Sequence, residues 1–353
     1  MTASREDHRD LVASVRGLLT KHADSAAVRA AMTSELGYDP TLWRLLCEQI
    51  GVAALAIPAE YDGVGAGLVE SLLVVGELGR TLAGVPMLGS AVLGVQAVLL
   101  SADTEAAGRL LPGVAEGATT LAVCWAGPGG WDTPGVQAEG KTLSGTAHYV
   151  LDGLAADTLL VLTETGLFEV ESRADGVTRR AVTPMDPTRP LSEITFEAVT
   201  ARRLGDGDPL ALAARLREIA WAAVAAEQVG AARRCLELTV EYTKSRVQFG
   251  RVIGSFQALK HRMADMYVLV ESAESASAAA TAAVAEGAAS AAEDVWVART
   301  HCSAAFTAVA AEMVQMHGGI AITWEHDAHL FFKRAHGDAE LFGQARRPLA
   351  TSA

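Results

Sequence analysis

A chain of 353 residues, half of them hydrophobic, has material for about two to three domains or subdomains around a large core. Its formal charge of -13 argues against nucleic acid or an anionic membrane as partner, and no uninterrupted run of about 18 apolar residues suggests a membrane span. The four cysteines, Cys47, Cys124, Cys235 and Cys302, form no CxxC pair, so reduced, buried thiols are expected rather than zinc or disulfides.

The first residues, MTASREDHRDLVASV, are charged and helical in pattern, unlike a secretory signal, and predict a cytoplasmic protein. Helical periodicity continues to about Ala115, with Leu11, Val15, Leu18 and Leu19 on one segment and Leu42, Leu45 and Leu46 on another. An apolar run, Gly51 to Ile57, stops at Pro58 and leads into the glycine cluster Gly63, Gly65 and Gly67. Neither a βαβ unit nor a Walker lysine accompanies that cluster, so it reads as a turn and not as a nucleotide loop.

Near Thr119 the texture changes. Leu121 to Trp125, His148 to Leu151, Thr158 to Leu162, Leu167 to Val170 and Ile194 to Phe196 are short runs rich in β-branched, aliphatic and aromatic residues between Gly, Asp and Pro turns. They predict a small, mostly antiparallel β-domain. From Pro209 onward long helical patterns return. Leu216, Ile219, Ala223, Ala226 and Gly230 step along the first, which ends near Arg246. Phe256, Leu259, Met263, Met266 and Val270 mark a second. A third is expected from about Ala273 to Met316, with a break near Gly287. Packed antiparallel, such alanine-rich helices form a bundle of the four-helix kind. The expected organisation is therefore α+β: a helical N-terminal domain over residues 1–118, a β-domain over 119–205 and a helical bundle over 206–353.

Between the first two bundle helices lies Arg246-Val247-Gln248-Phe249-Gly250-Arg251, a glycine-bearing turn with two guanidiniums. After the third comes Gln315-Met316-His317-Gly318-Gly319. In an up-down bundle both turns fall at the same end. Such a pair can grip an anion, because arginine supplies charge-assisted hydrogen bonds and glycine lets backbone N–H groups approach it.

The order of domains, the pattern RxQFGxxIxxFQxxxHxxADM after the first bundle helix, and QxHGGxxxTWEHDxHLxxKR after the third resemble the acyl-CoA dehydrogenase family over essentially the whole chain. Leu55 to Gly67 and Asp186 to Arg189 are similar to further segments of that family. The resemblance implies FAD as cofactor, an acyl-CoA thioester as substrate and an electron-transfer flavoprotein as electron acceptor. It also implies that Arg246, Phe249, Gln257, Gln315, Gly318 and Gly319 cover the adenosine and pyrophosphate end of a flavin lying in a neighbouring subunit.

Against that pattern, the catalytic apparatus is altered. The family's base stands before a glycine near the C-terminus, where this chain has Phe342-Gly343, or on the first bundle helix, where it has Ala220. Glu218 lies about 200° around the helix from Ala220, and Glu227 about 10 Å further along it. Asp338 and Glu340 are weaker candidates. The flavin-ring loop reads Cys124 to Asp132, and the segment beside the ring reads Tyr149-Val150-Leu151, where leucine has no hydrogen bond to donate. No catalytic residue is therefore assigned. The chain resembles the partner half of the hetero-oligomeric, α2β2-type acyl-CoA dehydrogenases of actinobacterial steroid catabolism. A homomeric enzyme using Glu218 or Glu227, and a scaffold without cofactor, are the alternatives.

Overall fold

The computed structural model describes residues 4–345, and the outermost parts of the first and third expected domains, 1–3 and 346–353, lie outside it. The chain is α+β and divides into two compact units: the described residues up to Val74 together with Gly84–Ala220, and Val75–Ala83 together with the described residues from Trp221.

In the first unit the leading helices start at side-chain caps. Ser4 and Asp7 form a reciprocal capping box for α1 (Arg5–His22), and Asp24 caps α2 (Ser25–Met32). Asp39 does the same for α3 (Pro40–Ile50), whose proline sits where a missing N–H costs nothing. Helix α4 (Leu68–Thr81) follows. A π-helical segment over Met87–Gly94 leads into α5 (Val95–Leu100), and Asp103 caps α6 (Thr104–Ala115).

Two four-stranded sheets follow. One has the order β1 (Leu121–Cys124), β4 (Thr158–Thr163), β5 (Gly166–Glu171), β8 (Arg202–Leu204). The other has the order β2 (Val136–Glu139), β3 (Thr142–Leu151), β7 (Leu191–Thr200), β6 (Val177–Val182). Only the β1–β4 pair is parallel. Leu143, Leu159, Val161, Phe168, Ile194 and Phe196 join in one dry core; β7 alternates between buried and open positions, whereas β4 is buried along its whole length. The strands β2, β6 and β8 fall outside the expected strand runs: β2 alternates over only four residues, and β6 and β8 are rich in arginine.

The second unit is helical. It contains most of α7 (Pro209–Ser245), then α8 (Gln257–Glu286), α9 (Ala291–His317) and α10 (Ala328–Glu340). The helix expected from Ala273 to Met316 is two helices. Its first part belongs to α8, which runs unbroken from Gln257, and the chain reverses at Gly287 (φ +65°) before α9. The end of α4 packs on α7 with no side chain between: a Cβ on Gly230 would lie 1.9 Å from the Gly76 carbonyl oxygen, and one on Gly79 2.3 Å from that of Glu227. The expected turn after α7 is a hairpin, β9 (Val247–Gln248) against β10 (Arg251–Val252).

Candidate cofactor and substrate site

The hairpin bends at Phe249 (φ +53°) and Gly250 (φ +76°), the paired left-handed geometry of a type I′ turn. Glycine accepts it freely, whereas for phenylalanine it costs about 1 to 2 kcal/mol. That strain holds an aromatic ring out at the tip, where Phe249 is 92 % exposed. Phe256 meets it edge-on at 6.1 Å and carries the Arg251 guanidinium at 3.9 Å. Arg246 anchors the base of the hairpin, its N–H donating to the Tyr242 carbonyl (2.9 Å) and its carbonyl accepting from Ile253 N–H (2.8 Å). The Arg246 side chain is exposed, and no carboxylate among the described residues pairs with it.

At the second turn α9 ends on Gly318 with φ +65° and ψ −147°, a backbone region open essentially to glycine alone. Gly319 has no such constraint: its φ is ordinary, and an added Cβ would meet nothing among the described residues. The absence of a side chain at Gly319 therefore serves nothing within the chain, which suits close approach of a group from outside it. Gln315 is exposed on the last turn of α9, and Gln257 is exposed at the start of α8 with its amide 3.4 Å from His261.

The two turns are tied together. The Tyr242 ring stacks on His317 at 4.3 Å, and its hydroxyl donates to the His317 carbonyl at 3.3 Å. Two exposed cations, exposed amides and bare glycine backbone at one end of a bundle fit the pyrophosphate of a dinucleotide. Sequence reasoning missed Tyr242 and His317, although one stands four residues before Arg246 and the other directly before the glycine pair.

The positions where the family carries its base are sealed. Ala220 is fully buried. Phe342 is buried with φ +61°, and its carbonyl accepts from Trp221 Nε1 at 3.0 Å. Buried Arg299 clamps the same segment, donating to the carbonyls of Ala339 and Leu341 (both 2.9 Å) and Gly343 (3.3 Å). Burial pulls this guanidinium down to about 10, against the opposing attraction of Asp338. The other carboxylates are engaged as well. Glu218 pairs with Arg215 at 2.7 Å, Glu227 with Arg334 at 2.7 Å in a buried ion pair, and Glu340 accepts from Gln344 at 3.1 Å.

Around the expected ring loop, aromatic side chains stand where polar contacts were sought. Trp125 packs edge-on to Trp131 (5.7 Å), which lies 6.1 Å from Tyr149, itself held at φ +53°. Arg217 sits 5.6 Å over Trp125 and fixes the loop by donating to Asp132 (2.7 Å) and the Trp131 carbonyl (2.5 Å). Nothing in the sequence pattern pointed to Arg217, because its partners lie about 85 residues away.

Fold and motifs together define the acyl-CoA dehydrogenase family, to which this chain belongs. Residues 5–118 match the acyl-CoA dehydrogenase N-terminal domain and residues 217–345 the C-terminal domain. Among individual proteins, the chain is 44 % identical to the acyl-CoA dehydrogenase IpdE2 of Mycobacterium tuberculosis, over 98 % of this chain and 95 % of the relative. It is equally similar to IpdE2 of Mycolicibacterium smegmatis, over 99 % and 97 %. Among solved structures it resembles a chain of the ChsE4-ChsE5 complex from Mycobacterium tuberculosis (TM-score 0.89, 30 % identity, 97 % of this chain and 95 % of that one). It also resembles a chain of the Tcur3481-Tcur3483 steroid ACAD (TM-score 0.88, 31 % identity, 96 % and 94 %). Among the described residues no helix is long and apolar enough to cross a membrane.

Proposed function

We propose that this chain is one subunit of a cytoplasmic, FAD-dependent acyl-CoA dehydrogenase of α2β2 type, in which it completes the flavin site of a partner chain. The partner supplies the catalytic base and the ring pocket, an electron-transfer flavoprotein takes the electrons, and the substrate is an acyl-CoA, of steroid origin by analogy with the similar complexes. In this reading the chain keeps the three-part division at residues 1–118, 119–205 and 206–353.

FAD, when bound, supplies the hydride acceptor for α,β-dehydrogenation. The residues of this chain act at its other end. Arg246 neutralises phosphate charge, Gln315 and Gln257 offer amide donors, and Gly318 and Gly319 present bare backbone. The exposed Phe249 ring, held out by its strained turn, docks on the neighbouring subunit.

The observation that carries this reading is the contrast between the two halves of the apparatus. Arg246, Gln315 and Gly319 are exposed, with no carboxylate of the described residues against Arg246, whereas each candidate base is replaced, buried or already paired. The purified chain alone should hold little flavin, and coexpression with its partner should give stoichiometric flavin and activity. Arg246→Ala should weaken FAD retention by the complex about tenfold to a hundredfold, the worth of a sheltered charged hydrogen bond. Tight flavin binding and turnover by the lone chain would overturn the division of labour, and an unmoved FAD affinity in Arg246→Ala would favour a scaffold.

A further inference from the structure

The contact between the two turns is made by Tyr242 and His317, to neither of which the resemblance gives a role. Tyr242 lies in the last turn of α7 and receives the Arg246 N–H on its carbonyl. Its ring and hydroxyl both engage His317, the residue before Gly318. His317 is 4 % exposed, and its Nδ1 donates to the Met313 carbonyl at 2.7 Å. Its ring also meets His326 at 4.6 Å. His326 Nδ1 in turn accepts from the N–H of Ala328, the first residue of α10, at 3.0 Å. One path of ring contacts and hydrogen bonds thus runs from α7 through the end of α9 to the start of α10.

We propose that Tyr242, His317 and His326 form a proton-sensitive clasp that holds the Arg246 hairpin and the Gly318-Gly319 turn in one register. The clasp is structural in itself; its importance for the cofactor rests on the reading of the preceding subsection. All three are positioning residues.

The geometry requires a neutral ring at His317, while His326 holds the start of α10 by accepting the Ala328 N–H on Nδ1. A proton on His317 would place a cation in a buried site, and burial first, then the neighbouring His326, lower its proton affinity below that of a free imidazole. Among the described residues, the titratable groups that meet the His317 ring are Tyr242 from α7 and His326 from the segment before α10. Because the folded state disfavours the proton, an opened turn binds more of it. The clasp is therefore at full strength above the free-imidazole range, about pH 6.5, and weakens as pH falls below it.

The test uses amide hydrogen exchange on the full chain and FAD retention by its complex with the partner chain, each from about pH 5.5 to about pH 8. Tyr242→Ala should accelerate exchange in both turns together and weaken FAD retention about tenfold. Tyr242→Phe, which keeps the stack and loses only the hydroxyl, should cost about threefold and guards against misfolding. His317→Phe keeps an aromatic stack without a titrating ring and should flatten the decline that the unsubstituted complex shows below about pH 6.5. Faster exchange confined to the hairpin, or identical pH profiles for His317→Phe and the unsubstituted complex, would overturn the clasp. If exchange responds as expected while Arg246→Ala leaves FAD retention unmoved, the clasp stands and the cofactor reading falls.

Discussion

Replacing Glu227 by glutamine separates two explanations of one carboxylate. Glu227 lies on the same helix as the family's alternative base position, yet it meets Arg334 at 2.7 Å with side-chain exposures of 8 % and 3 %. Gly79 of α4 lies close against its backbone and Cγ, leaving that side of the carboxylate covered by protein. Glutamine fills the same space but removes the carboxylate charge that Arg334 meets on α7. Removing one partner of a buried pair costs about 3 to 5 kcal/mol. At roughly 2 to 4 °C per kcal/mol for a unit of this size, the melting temperature should fall by about 6 to 20 °C. Thermal and urea denaturation of the full chain measure the loss, and Glu227→Gln combined with Arg334→Met should recover most of it. A Glu227→Gln variant of undiminished stability whose complex no longer dehydrogenates acyl-CoA would refute this reasoning and make Glu227 the base of a self-sufficient enzyme.

The other predictions follow from packing. Gly230→Ala drives a Cβ into the Gly76 carbonyl and should destabilise the chain by about 3 kcal/mol, seen as a lower urea midpoint. Arg299→Met removes the donors that clamp the carbonyls of Ala339, Leu341 and Gly343. It should cost about 3 kcal/mol and expose the segment after α10 to limited proteolysis. All four cysteines are buried, and burial pushes the Cys47 and Cys302 thiols up to about 12. An aromatic disulfide reagent at about pH 8 should therefore react only after denaturant is added.

Much of the architecture was legible because its signals are local. The strand around Phe196 alternates, that around Val161 is a short apolar run bounded by turns, and the two glycine turns follow long periodic helices. The break at Gly287 is legible, but the third helix is expected to start at Ala273, inside α8, because alanine counts as apolar on any helix face and the run after Val270 has no sharp period. The hairpin looks like a plain turn in the sequence because a type I′ bend normally advertises itself with Asn-Gly or Asp-Gly, and here it is Phe249-Gly250. The Glu227–Arg334 pair spans 107 residues and leaves no trace in any window of sequence. Tyr242 and His317 were visible as residues but not as partners, since only the bundle brings their helix ends together.

The glycine-thin crossing of α4 on α7 bears on how this chain can be divided. The helical second unit takes in Val75–Ala83, residues encoded far upstream of the rest of it. A piece beginning after the β-strands would lack the helix that Gly230 accommodates, leaving a bare backbone groove along α7. Gene fusions, truncations and exchange of halves between relatives therefore cut through a continuous packing layer. The boundary of the matched N-terminal domain, residues 5–118, is therefore not the boundary of a packing unit, since Val75–Ala83 belongs with the helices of the second unit.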